Sequence, residues 1–465
     1  MPARRGRFQY LSPGGEVLQQ GGCEVRFDDA IFSLAPDDGP PLVFDLGDVD
    51  ALVAADYTVR ATLFTGNALL LQQFGKATQD LVRELVDAWR ERSVRCLLLA
   101  DLEQVFRVDG RFELESGAPG AVAGAVAGAA ELRLYRSNLA VLPLESAPFQ
   151  WRLADVTSHG FDAQRYELVL RRDGDVLRLG RLGRQTDPFV RAVRESLQAL
   201  AVEGARALGA ILPFLDANRL QAAHRLLPEG HSARVSELSA VDSRIAQVLA
   251  ANAVDASLAP YYEALLERCV REQVQVGYKL IRPGDEDGAV GDDASAPGAD
   301  PPSADAGASD DGPAADATGA APGAPDADAA GPPALYWFFF PIAASGGALP
   351  DVVAWEASSR AGRATYFFRL AAPGEDPPAD ADGVARAVAR ITRVLGLVNF
   401  RRRPIYLSDA DLESKPEWRR YAIAARRIVD LRAVRSAFIG RASHLSLPAW
   451  RNQVDAILTR ARPRQ

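Results

Sequence analysis

One pattern is written twice in this chain, about a hundred residues apart: strand, glycine turn, strand, helix. In the first copy Tyr57–Phe64 runs to a turn at Gly66-Asn67, and Leu69-Leu70-Leu71 leads through Phe74-Gly75 into a helix from about Thr78 to Arg90. In the second, Tyr166–Leu170 meets Asp173-Gly174, and Leu177-Arg178-Leu179 passes Leu182-Gly183 into a helix from about Thr186 to Leu200. From the turn onward the copies align without a gap: Gly66 with Gly174, Leu69 with Leu177, Gly75 with Gly183, Leu81 with Phe189, Leu85 with Val193 and Trp89 with Leu197. A repeat of this kind constrains architecture before it says anything about chemistry.

Upstream of each copy lie further extended segments. Cys23–Phe27 and Ala30–Leu34 flank Asp28-Asp29 as a strand pair, and Val43–Leu46 follows Gly39-Pro40-Pro41. Their counterparts are Leu132–Tyr135, Leu139–Pro143 and Phe149–Leu153, with Leu46-Gly47-Asp48-Val49 matching Leu153-Ala154-Asp155-Val156. Each unit reads as about five antiparallel strands closed by an amphipathic helix, because a sheet with one apolar face needs such a cover. We place the first unit at 7–112 and the second at 131–203, and we read the Gly/Ala-rich stretch 113–130 as a flexible linker.

Beyond the repeat, 204–272 carries helical periodicity and reads as a connector. Residues 273–400 read as a third α+β domain. Val274, Val276, Tyr278 and Leu280 alternate as in a strand; Leu335–Phe340, Val352–Glu356 and Thr365–Leu370 are aromatic-rich strand candidates; Val384, Val388, Ile391, Leu395 and Val398 have helical spacing. Between the first two strands, 284–333 is mostly Ala, Gly, Pro, Asp and Ser. That composition buries too little apolar surface to offset the entropy of ordering, so a disordered loop inserted within one sheet is expected. Residues 401–465 form a basic helical region. Ile428, Leu431, Val434 and Phe438 recur at helical intervals, and we expect these helices to cover the third sheet with their arginines facing water.

The length of 465 residues implies two to four domains, and 48% hydrophobic with 25% charged residues suits a globular chain. The formal charge of −8 is concentrated in the acidic run from Asp285 to Asp328, and the remainder is mildly basic. Lys occurs only at positions 76, 279 and 415, and the dominance of Arg matches a GC-rich bacterial genome. Three widely spaced cysteines suggest neither a disulfide framework nor a zinc site, which fits a cytoplasmic setting. No apolar signal core follows Met1, and the Ala/Gly stretch 121–130 is about half the roughly twenty residues a membrane span needs.

The doubled sheet with a closing helix resembles the pleckstrin-homology-like (PH-like) superfold of bacterial PH-like domains, over about 20–92 and 131–200. The fold class expected is α+β: two PH-like units, a helical connector and a third mixed domain. The resemblance implies binding of anionic lipid or of proteins, with Arg4, Arg5, Arg7, Arg133 and Arg136 as the candidate anion-binding residues.

Other motifs carry blander readings. Gly180–Arg184 lacks the Gly-Lys-Ser/Thr ending of a phosphate loop, and Gly75 stands where Gly183 does, which points to a structural turn. His159, His224, His231 and His444 have no partners at metal-ligand spacing, no nucleophile elbow is present, and the acidic run lacks the ladder of a calcium loop. No catalytic residue, cofactor or metal is therefore assigned. The expectation is a non-enzymatic interaction or scaffold protein with an unnamed protein partner, nucleic acid disfavoured, no transmembrane segment, and a peripheral membrane adaptor as the alternative, ahead of an enzyme.

Overall fold

The structure is a computed structural model, and it describes residues 3–116, 125–281, 333–343, 349–358, 364–415 and 418–461. The chain forms two compact units, Met1–Glu203 with Pro404–Phe438, and Gly204–Arg403 with Ile439–Gln465.

The first unit opens with β1 (Arg4–Leu11), β2 (Val17–Phe27), β3 (Ile31–Pro36), β4 (Leu42–Asp45), β5 (Val49–Ala55), β6 (Thr58–Leu63) and β7 (Ala68–Gln72), closed by α1 (Thr78–Cys96). The same series follows as β8 (Gln104–Glu115), β9 (Val126–Tyr135), β10 (Asn138–Pro143), β11 (Phe149–Arg152), β12 (Ser158–Asp162), β13 (Glu167–Arg172) and β14 (Asp175–Gly180), leading into α2 (Thr186–Ile211). The two antiparallel sheets have one topology, β4-β3-β2-β1-β7-β6-β5 and β11-β10-β9-β8-β14-β13-β12. Each apolar face is closed by matched helix residues: Leu81, Leu85 and Trp89 in the first, Phe189 and Val193 in the second. Thr78 and Thr186 each donate to the carbonyl of Gly75 or Gly183 at 2.9 Å. Both glycines hold positive φ, +57° and +58°, so the turn before each helix uses glycine's freedom there.

Seven strands stand where five were expected. β1 shows no apolar alternation because Arg4, Arg5 and Arg7 interrupt it, while β8 and β9 take up the two ends of the expected linker. Glu113 pairs with Ala127 and Phe112 with Gly128, so 113–115 and 126–130 are two sides of a hairpin. β8 also pairs with β14, and the second sheet therefore begins at Gln104, inside the stretch 7–112 assigned to the first. Phe112 lies across from Gly128, where a Cβ would make an ordinary contact with the ring at 3.6 Å. Residues 117–124 of the expected linker lie outside the described residues.

In the second unit, α3 (Ala217–Leu226), β15 (Ser232–Arg234), α4 (Val235–Val241), α5 (Arg244–Ala253) and α6 (Ala259–Leu266) precede β16 (Gln275–Leu280), β17 (Ala334–Ile342), β18 (Val352–Ala357), β19 (Ala364–Arg369) and α7 (Ala381–Leu397). The stretch expected as a connector belongs to this unit's core: Leu238, Ile245, Leu249 and Leu265 are fully buried with Tyr278 and Phe340. β16 and β17 pair directly, Val276 opposite Phe338, so the acidic stretch lies between neighbouring strands. The disorder expected for 284–333 falls outside the described residues except at Pro333.

The chain then enters α8 (Arg403–Tyr406), α9 (Asp409–Ser414), α10 (Arg419–Arg427) and α11 (Val429–Ala437) before β20 (Phe438–Ser443) and α12 (Leu447–Ala461). β20 joins the third sheet beside β19, and Trp450, Val454 and Ile457 of α12 are buried in its core. Residues 404–438 instead belong to the first unit, which corrects the expectation that they cover the third sheet. Leu431 and Val434 are buried as their spacing implied, but Arg420, Arg426, Arg427 and Arg435 are held by protein partners rather than by water alone.

Candidate interaction site

The five arginines singled out in the sequence do not converge. Arg5 and Arg7 are exposed on the outer face of β1, whereas alternation turns Arg4 inward, where it pairs with Glu84 of α1 at 2.7 Å. Arg133 is only 3% exposed and bonds Glu131 and Glu91 at 2.5 and 2.7 Å. Arg136 is exposed and paired with Glu103 at 2.7 Å. Arg133 is thus part of a buried charge cluster: Glu131, 2% exposed, also accepts from Arg107 of β8 at 2.6 Å and from Arg90 of α1 at 3.1 Å. The cluster ties the first helix to the second sheet. Val94, Leu97 and Leu99 pack beside it against Tyr135, Ala140 and Leu142. The Arg133 hydrogen bond holds the Glu91 carboxyl below its ordinary value.

A more informative place is the flank where β5 meets α1, because two distant chain segments close it. The Leu52 amide on the free edge of β5 donates to the carbonyl of Leu144 at 2.7 Å, and the Leu144 side chain packs on the first core. Next to it, Arg427 of α10 donates to the Val49 carbonyl at 2.8 Å and pairs with the Asp50 carboxylate. Arg426 pairs with Asp48 at 3.1 Å and lies 5.5 Å from the centre of the Phe64 ring. Burial raises the Asp48 carboxyl above its ordinary value, with Arg426 opposing the shift. Ile423 and Cys96 crowd Gly47, whose Cβ would stand 2.6 Å from the Cys96 Sγ. A larger residue at Gly47 would press first on Cys96 of α1 and the Asp45 carboxylate, and then on Ile423 of α10, 3.1 Å away. Burial pushes the Cys96 thiol up to about 12.

The sequence signals for this site were Asp48 in the duplicated Leu-Gly-Asp-Val motif and the paired arginines 426 and 427. Neither revealed the other as its partner, since 378 residues separate Asp48 from Arg426.

In the second unit a buried polar group joins Glu356, Thr365, His444 and Trp450. Thr365 Oγ1 donates to Glu356 Oε2 at 2.7 Å, accepts from the Trp450 indole at 2.9 Å and lies 3.0 Å from His444 Nε2. Tyr261 stacks on the imidazole at 4.1 Å. Thr365 is wholly buried and its hydroxyl is satisfied within the core, whereas His444 Nδ1 is buried without a hydrogen-bond partner among the described residues. No group of three His, Cys, Asp or Glu side chains among the described residues is placed to hold a metal ion, and no described helix is long and apolar enough to cross a membrane.

No family model matches this chain, and no curated protein matches it.

Proposed function

We propose that the protein is a non-enzymatic interaction scaffold built on two PH-like units that grip segments of polypeptide along one flank of the sheet. The observation that carries this reading is the flank between β5 and α1, which already holds two segments from elsewhere in the chain through Leu144 and Arg427. A free sheet edge beside a helix offers unpaired amides and an apolar trough together, and that combination suits extended or helical segments of a partner. In-cell crosslinking in the native host tests it: crosslinks from residues 1–203 to a specific partner protein are expected, and crosslinks confined to the chain itself count against it.

A second reading, a peripheral adaptor on anionic lipid, is supported by Arg5 and Arg7, which are exposed two residues apart on one face of β1. Vesicles containing a third phosphatidylserine separate the two. Flotation that disappears in Arg5→Ser/Arg7→Ser favours the adaptor, and absence of flotation favours the scaffold.

A further inference from the structure

The two repeats share one topology, yet the flank closed in the first is left open in the second. Pairing across the sheets matches Leu52, opposite Ala61 on β6, with His159, opposite Leu170 on β13. Leu52 is 2% exposed, and His159 is exposed. The same change occurs along the helix. Trp89 is wholly buried while its counterpart Leu197 is only partly so; half-buried Val86 becomes exposed Arg194; Val94 at 5% becomes Val202 at 52%. Val49, 1% exposed, becomes the partly exposed Val156. In the first repeat this surface is buried by Leu144 and its neighbours, which belong to the repeat that follows.

From this pattern we infer that the β12–α2 flank is a docking site for an extended segment of a partner protein that carries a leucine-like side chain followed by an acidic one. The inference rests on the scaffold reading above. The first repeat supplies the template: Leu144 gives its carbonyl to the β5 edge and its side chain to the core, and Glu145 follows it. Equivalent docking would place a carbonyl on the His159 amide and an apolar side chain against Val156 and Leu197. The rim has lost its acidity in the same direction. Asp48 and Asp50 border the first flank, where Asp45 is paired with Arg92; in the second, Arg152 and Asp155 pair with each other, Thr157 stands in the place of Asp50, and exposed Arg194 is the cation that is added. An acidic residue therefore suits the second flank where arginine suits the first. A second copy of this chain fits poorly. The face it would offer by repeat symmetry has Ser33, Ala35 and Asp37 where Ala140, Leu142 and Leu144 provide the apolar contact.

The test uses the full chain and a fluorescein-labelled peptide with the sequence of residues 139–148, read by polarisation. Saturable binding is expected, weakened at least tenfold by Leu197→Trp, which restores the bulk of the closed flank, and by His159→Pro, which removes the edge amide. Arg194→Glu should weaken it as well, and the peptide bearing Leu144→Ser should not bind. Absence of saturable binding, or binding unchanged in Leu197→Trp, overturns the site. A crosslinked host partner that Leu197→Trp retains would leave the scaffold reading intact while overturning this one.

Discussion

Trp89 and Arg427 meet on a single atom, the main-chain oxygen of Val49, to which the indole donates at 3.0 Å and the guanidinium at 2.8 Å. The tryptophan belongs to the first repeat's own helix, and the arginine arrives from α10, far along the chain. A carbonyl with two lone pairs is satisfied from inside and outside the domain at once. Core packing of the repeat and docking of α10 are therefore coupled through one peptide group.

Trp89→Ala should destabilise the first unit by about 3–5 kcal/mol, the range for truncating a buried aromatic side chain. Leu197→Ala at the matching position should cost less, because Leu197 is only partly buried. Denaturant unfolding of the full chain, followed through hydrogen exchange of β6 and β13, distinguishes the two. Equal losses would contradict the asymmetry between the flanks.

Arg427→Ala should cost about 1.5–3 kcal/mol, the range for hydrogen bonds made by a charged group, because the Asp50 carboxylate it leaves behind is open to water. Its side chain is 5% exposed against 37% for Asp50, so much of the burden of pairing falls on the arginine. Amide exchange in α10 should accelerate while β1 and β7 keep their protection. A double-mutant cycle with Asp50→Ala should show a coupling on the order of 1 kcal/mol, and additive losses would mean that the Val49 carbonyl does most of the holding.

The doubled core was legible because its burial repeats at fixed spacing: Leu69 and Leu177, Leu71 and Leu179, Leu85 and Val193 are all buried as aligned. Strands with the opposite chemistry were not. β1 alternates arginine with Gly6 and Phe8, and β9 begins with Val126-Ala127-Gly128, which give no periodic signal. The helices of 404–437 could be read from Leu431 and Val434, yet their destination could not, since helical spacing shows that a face is buried and not what buries it. The same limit hid the interaction flank. Its two halves, Asp48-Val49-Asp50 and Arg426-Arg427, each look like ordinary surface charge until topology brings them together.

Glu91 gives a pH dependence whose sign follows from its depressed carboxyl. In the fold, Arg133 holds its proton affinity below the ordinary value of 4.5, so the contribution is present above that value and disappears as pH falls through the lower folded one. Because the Glu91 side chain is 52% exposed, solvent screening limits the effect to about 1 kcal/mol or less. Wild type should exceed Glu91→Gln in urea midpoint at pH 7, and the gap should close toward pH 3. A gap that widens in acid would contradict the assignment.

Cys96 offers a chemical reading of whether α10 is seated. Its thiol is 3% exposed beneath Gly47 and Ile423, and burial pushes its pKa up to about 12, so it carries little thiolate at neutral pH. Iodoacetamide at pH 8 should leave it unmodified in the native chain, as judged by mass spectrometry of the tryptic peptide. Release of α10 would remove Ile423 from above Gly47 and admit both water and reagent. Arg427→Ala should therefore raise the alkylation rate of Cys96 by tenfold or more, while Cys23, buried on β2 within the first core, keeps its wild-type rate. Equal acceleration at Cys23 and Cys96 would indicate unfolding of the whole unit, and unchanged protection of Cys96 would mean that α10 is not what shields it.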